Sequence, residues 1–253
     1  MKRTHDTSRF ALALGLTLAS GWAVAAPVEL ISNGGFETGN FTGWTATSQT
    51  GSLGALFIDN ADGLTTDSGH PTVGSATGLF YAVTDQLGGG AYSLEQSFTV
   101  ALGTTSVWLS FDMFMNNWAG STTVVNPSGL DYMSGANQHA RVDILTASAG
   151  AFSTAAADIV ANLVAPGSTL PVNNSPNPYI HYQFDLTGQL TAGATYTLRF
   201  GEVDNQGYFN QGVDNVSILA DSSRVPEPAS LALLSIGLAG LGFARRRDLT
   251  RLS

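Results

Sequence analysis

Four histidines in this chain are available to carry protons, His5, His70, His139 and His181, and none has a partner at a recognisable motif spacing. There is no Gly-x-Ser-x-Gly elbow to expose a nucleophilic serine. There is also no His-Glu-x-x-His pair to set two imidazoles around zinc. With no cysteine at all, disulfide staples, thiol catalysis and thiolate-bound zinc are excluded. A glycosidase needs two carboxylates about 5 to 9.5 Å apart across a cleft. Seventeen acids lie between residues 26 and 228, so some such pair arises by chance and the count carries no weight.

The acids cluster in two places. Asp59-Asn60-Ala61-Asp62-Gly63, with Asp67 behind it, concentrates oxygen ligands in a glycine-containing turn. It departs from the calcium-binding EF-hand loop, because Ala61 stands at a ligand position and no Glu follows at the twelfth place. Glu202-Val203-Asp204-Asn205 is the second cluster. Both read as solvated turns of an acidic surface. Aromatics in loops suggest a different chemistry, since flat rings stack on sugar faces beside amide and carboxylate partners. Trp118 follows Asn116-Asn117, Tyr132 follows Asp131, and Tyr208 precedes Phe209-Asn210-Gln211, which makes these three the candidate glycan contacts.

Composition narrows the classes further. The 253 residues carry a formal charge of −9, with only 11% charged residues and 29 glycines. Seven of the ten basic residues sit at the ends: Lys2, Arg3, Arg9, Arg245, Arg246, Arg247 and Arg251. Residues 26–228 therefore carry −14, with Arg141, Arg199 and Arg224 as their basic residues and no lysine. Such a chain lacks the clustered cations that nucleic-acid binding requires. It also lacks the Ala, Glu, Lys and Leu heptads of a coiled coil.

The two ends read as addresses. Residues 1–9 are short and basic, Phe10 to Gly21 is apolar, and Ala23-Val24-Ala25 offers small residues to a signal peptidase. This is a secretory signal over 1–25, cleaved after Ala25. At the other end Val225-Pro226-Glu227-Pro228 precedes an apolar stretch over 229–244 and then Arg245-Arg246-Arg247. That stretch has no polar face and predicts a transmembrane helix, with the arginines held cytoplasmic by the positive-inside rule. The tripeptide, Gly- and Leu-rich helix and Arg tail over 222–253 resemble the PEP-CTERM sorting signal of Gram-negative bacteria. The resemblance implies recognition of Pro226-Glu227-Pro228 by exosortase and removal of the tail. It says nothing of the domain delivered.

Between the ends, residues 26–221 read as one all-β domain, a jelly-roll-like sandwich. Val107, Leu109, Phe111, Met113 and Met115 alternate with polar neighbours, as do Ile180–Leu186, Tyr196–Phe200 and Tyr92–Val100. Val142 with Ile144, and Val213 with Asn215 to Leu219, add further strands, and Gly, Asn, Ser and Pro clusters punctuate them. Ala149–Val164 is Ala-rich enough for a short helix or a loop. Asn-x-Ser/Thr triplets at Asn40, Asn173 and Asn215 carry no further inference.

Leu30-Ile31-Ser32-Asn33-Gly34-Gly35-Phe36-Glu37 with Gly43-Trp44 resembles the opening strand of galactose-binding-like, carbohydrate-binding-module jelly rolls. Gly212-Val213-Asp214-Asn215-Val216-Ser217-Ile218 resembles their last strand. The resemblance implies that first and last strands pair, and that Glu37 and Asp214 hold a structural calcium. Phe36 and Trp44 are expected in the core, on a strand facing inward.

The expected protein is exported and non-catalytic, a cell-surface or matrix component associated with extracellular polysaccharide, made as an inner-membrane-anchored precursor. Its alternatives are a carbohydrate-binding module and a polysaccharide hydrolase. If the sorting reading is right, deleting Ala229–Ser253 abolishes surface delivery in a cell-fractionation assay, and unchanged delivery contradicts it.

Overall fold

The computed structural model describes residues 22–23, 26–60, 62–119, 122–165, 175–222 and 225–226. The chain divides into two compact units. In the first, β1 (Trp22–Ala23) pairs antiparallel with β13 (Val225–Pro226), Trp22 opposite Pro226 and Ala23 opposite Val225. Of the two addresses, Ala25, Glu227, Pro228, the apolar stretches and Arg245–Arg247 lie outside the described residues. Among the described residues no helix is long and apolar enough to cross a membrane.

The second unit, residues 26–223, is a two-sheet sandwich. Its strands are β2 (Val28–Glu29), β3 (Thr45–Ser48), β4 (Gly54–Asn60), β5 (Phe80–Gln86), β6 (Gly90–Thr99) and β7 (Thr104–Asn117). They continue as β8 (Gln138–Thr146), β9 (Ile159–Val164), β10 (Ile180–Asp185), β11 (Thr195–Asp204) and β12 (Phe209–Ser222). One sheet runs β10-β7-β12-β5-β4, with β2 beside β12, and the other runs β3-β6-β11-β8-β9. All of these pairings are antiparallel, and neighbours in the sheets are mostly distant in sequence.

Alternation explains the core. Val107, Leu109, Phe111 and Met113 of β7 meet Leu94 and Phe98 of β6 and Leu198 and Phe200 of β11 in one apolar cluster. The Phe111 and Phe200 rings make an edge contact at 5.1 Å, and Trp44 lies against Phe200 at 6.1 Å. Such aromatic pairs add about 0.5–1.5 kcal/mol beyond the area they bury. The ends of the unit pair as expected: Glu29 sits opposite Leu219, and Leu30 donates its N–H to the Ile218 carbonyl at 2.9 Å. Gly34 donates nothing to this contact but accepts the Val216 N–H at 2.9 Å. A Cβ there would stand 1.8 Å from the Val216 carbonyl oxygen, so only glycine permits the approach.

Three expectations change. Residues 32–43 form turns rather than a strand, and Phe36 reaches the core from a left-handed backbone at φ 51–56° shared with Asn33. Ala149–Val164 is turns followed by strand β9, because Val142 and Ile144 of β8 offer Val164 and Ala161 an apolar pairing edge. Glu202 and Asp204 are no solvated turn. They end β11 on its core-facing side, both at most 1% exposed.

Phe111→Ala should lower unfolding stability by about 3–5 kcal/mol, whereas Trp108→Ala, half-exposed on the other face, should stay within about 0.5 kcal/mol. Chemical denaturation compares them, and equal costs would contradict the assigned core.

Candidate glycan-contact site

Two of the three candidate aromatics converge at one end of the sandwich. Trp118 leaves β7 and continues its pairing with β12, its N–H donating to the Tyr208 carbonyl at 2.8 Å. Its indole Nε1 donates to Asn210 Oδ1 at 3.1 Å, which fixes the ring. His70 completes the cluster, stacked on Trp118 at 5.2 Å and 14° and tilted against Tyr208 at 4.5 Å. Nothing in the sequence points to His70 here, since it lies far along the chain from both aromatics.

A buried carboxylate places it. Asp85 of β5 accepts the N–H groups of Asp67 at 2.7 Å and Ser68 at 2.8 Å, and the Ser68 hydroxyl at 2.5 Å. That clamp holds the segment carrying His70 over the end of β7. Beside Tyr208 opens a cavity of about 200 Å³, lined by Leu87, Gly88, Gly89, Asn205, Gly207 and Tyr208. Tyr208 is 36% exposed and Leu87 64%, and Leu53, also exposed, adjoins Gly88. The rim thus offers a phenol face and aliphatic surface next to open backbone.

Tyr132 sits differently. Its ring packs against the small cluster of Ala91, Leu130 and Val203, and its hydroxyl donates to the Thr50 carbonyl at 3.2 Å. It adjoins the cavity wall from behind, because a Cβ on Gly89 would lie 3.3 Å from its ring and Asn205 Nδ2 donates to its carbonyl at 2.6 Å. The other histidines stand apart. His139 is buried, and burial with Arg141 beside it pushes its imidazole down to about 4, so it is neutral at physiological pH. His181 is exposed on the edge strand β10, its Nδ1 2.8 Å from Asp112 Oδ1.

The expected calcium pair is engaged in hydrogen bonds. Glu37 accepts the N–H of Leu79 on both oxygens, at 3.0 and 3.1 Å, and that of Phe80 at 3.1 Å. Asp214 accepts the N–H groups of Ala76 at 2.9 Å, Thr77 at 3.1 Å and Asn215 at 2.7 Å. The two carboxylates latch the segment before β5 to both ends of the domain. A calcium cage needs six to eight oxygens directed at one point. In this structure those N–H contacts take up part of each carboxylate's lone-pair capacity. Among the described residues no group of three or more His, Cys, Asp and Glu side chains could hold a metal.

Electrostatics set another acid pair apart. Asp204 is pushed up to about 8 by burial, with Asp85 adding to the rise and hydrogen bonds from Gln86 and Gly90 opposing it. Burial raises Glu202 well above the usual carboxylate range, and the Asp204 charge adds to it. Burial also raises Asp214, to about 6, against three N–H bonds. Each folded value lies above its unfolded value near 4, so the folded chain holds protons that the unfolded chain releases. This stability is fully present below about pH 4 and is lost as pH rises through about 8. In chelator, melting temperature should fall from about pH 5 to about pH 8.5, and Glu202→Gln should flatten the fall. A melting temperature that climbs across this window would contradict the assignment.

Comparison with known proteins adds a fold likeness and one motif. No curated protein matches the chain by sequence. The enzymatically active domain of bacteriophage CBA120 tailspike protein 4 is 14% identical at a TM-score of 0.44, over 76% of this chain and 21% of that one. The chain therefore spans about a fifth of the tailspike length. The module TmCBM61, solved with β-1,4-galactotriose, is 9% identical at a TM-score of 0.42, over 78% of this chain and 99% of that one. The CBM22-1 xylan-binding domain of Paenibacillus barcinonensis Xyn10C is 14% identical at 0.39, over 79% and 99%. With TM-scores under 0.5, none of these likenesses bears on what this chain binds. The family model for the PEP-CTERM protein-sorting motif matches residues 224–247, so the chain carries the address of an exported, membrane-passing precursor.

Proposed function

We propose that this is a non-catalytic polysaccharide-associated protein, delivered by exosortase processing to the cell surface or extracellular matrix, whose sandwich contacts glycan through Tyr208 and the Trp118–His70 stack. The observation that carries the reading is the ring cluster itself. Three rings from separate segments meet beside an open cavity, and an indole N–H and a buried carboxylate clamp fix them in place. Exposed rings held rigid lose little conformational freedom when a flat sugar face stacks on them. The cavity is below the ~300–1,000 Å³ typical of drug-sized ligands, which suits one ring of a longer chain lying across the rim.

Catalysis draws no comparable support. Two of the acids with raised proton affinity, Glu202 and Asp204, point between the sheets. The His70 ring lies against Trp118 and Tyr208. The charge of −14 over residues 26–228 supports a role in a hydrated, anionic layer, where it keeps the domain soluble.

A glycan array probed with the purified full chain tests the reading. Binding to at least one polysaccharide class is expected, weakened roughly tenfold, or about 1.4 kcal/mol, by Tyr208→Ala. Because Tyr208 is exposed, the variant should melt with the parent. Undiminished binding by Tyr208→Ala and Trp118→Ala together would remove the site, and absence of any binding would remove the function.

A further inference from the structure

Between the sheets, at the end where β11 turns toward β12, lie buried oxygens with few donors in the described structure. Neither carboxylate oxygen of the fully buried Glu202 has a close hydrogen-bond partner, though the Thr84 hydroxyl approaches. The buried Tyr92 Oη and Gln86 Oε1 are equally unpaired. Strand register and one hydrogen bond bring these residues together. Glu202 stands directly opposite Tyr92 across β6–β11, and Asp204 stands opposite Gly90. A Cβ on Gly90 would lie 2.0 Å from Tyr92 Oη, so the phenol leans along its strand over that glycine and toward Asp204. From the facing sheet Gln86 reaches Asp204, Nε2 to Oδ2 at 2.5 Å, which sets its carboxamide beside this pair.

Among the described residues no basic side chain answers them. Arg141 and Arg199 both bind Asp143, and Arg199 and Glu202 occupy opposite faces of β11 by strand alternation. An ionised carboxylate buried without donors is strongly unfavourable; protonation relieves it in the metal-free chain, and a bound cation would relieve it in the ionised form. We propose that Glu202, Asp204, Gln86 Oε1 and Tyr92 Oη form a binding site for a hard divalent cation of the calcium type. Calcium takes carboxylates in one- or two-oxygen mode together with amide oxygens and water, to a total of six to eight. Two carboxylates, an amide and a hydroxyl supply most of that set, and the absence of nitrogen and sulfur ligands disfavours zinc.

The contrast with the latch pair supports the choice. Glu37 and Asp214 each face three N–H contacts. Asp204 accepts one on each oxygen, from Gly90 N–H at 3.1 Å and from Gln86, and Glu202 is approached only by the Thr84 hydroxyl. The cavity lies close by, its lining residues Gly89 and Asn205 adjoining Gly90 and Asp204 in the chain. A cation there ties β5 of one sheet to β6 and β11 of the other, directly under the glycan rim. This site does not depend on the glycan reading.

Terbium(III), a calcium mimic excited through nearby tyrosine, provides the probe. The full chain, purified in mild detergent and stripped with chelator, should gain terbium emission that added calcium displaces. Glu202→Gln, which keeps the side-chain shape, should raise the midpoint at least about tenfold. Asp204→Asn should do the same, while Asp214→Asn should leave the midpoint unchanged. Absence of emission from the parent, parent-like titration by either inner variant, or loss confined to Asp214→Asn would each overturn the site.

Discussion

The domain must fold around buried carboxylates with almost no cations to neutralise them. Residues 26–228 hold seventeen acids and three arginines, and both described arginines converge on Asp143. Arg141 grips that carboxylate with two donors at 2.7 and 2.8 Å, and Arg199 adds contacts at 3.2 and 2.5 Å. Arg199 also donates to the carbonyls of Ala151 and Ser153, so this one charged knot fastens the turns before β9 onto the outer face of the sheet. Together the two cations hold the Asp143 carboxyl below the usual range despite its burial. Every other buried acid must find relief elsewhere.

Most of that relief comes from backbone N–H groups, and it organises the loops. Buried Asp85 clamps the His70 segment and buried Asp214 holds the segment leading into β5; the exposed Glu37 latches that same segment, and the exposed Glu29 accepts the Ile31 and Ile218 N–H groups where the domain's ends meet. In each case an acid on or near a strand fixes a loop that has little apolar surface of its own. Hydrogen bonds to charged acceptors are worth roughly 1.5–3 kcal/mol, about twice a neutral one. The aromatic rim therefore rests on carboxylate clamps, and its rigidity is a consequence of the same charge imbalance.

How much of this could be read from the residues depends on range. Period-2 alternation in β6, β7, β10 and β11 is local, so those strands and the sandwich class were visible, as was the pairing of the ends through the Gly34 and Asp214 motifs. Phe36 and Trp44 were rightly placed in the core, though the turn that delivers Phe36 was not. The Glu202-Val203-Asp204-Asn205 string has turn-like composition, and only the pairing of β11 with β6 and β8 shows that it is interior. β9 escaped notice because its pairing partner is supplied by β8. Trp118 and Tyr208 could be named as loop aromatics, but their meeting over His70 comes from the β7–β12 ladder and the Asp85 clamp, neither of which leaves a local signature.

The most direct measurement is carbon-detected NMR of the side-chain carboxyls across pH in the presence of chelator. If the scarcity of cations governs the fold, Asp143 titrates below the ordinary carboxylate range, Glu202 titrates well above it, and Asp204 keeps its proton to about pH 8. Carboxyls that all titrate together near 4 would show that these acids are neither buried nor differently partnered, and would contradict the account at its base.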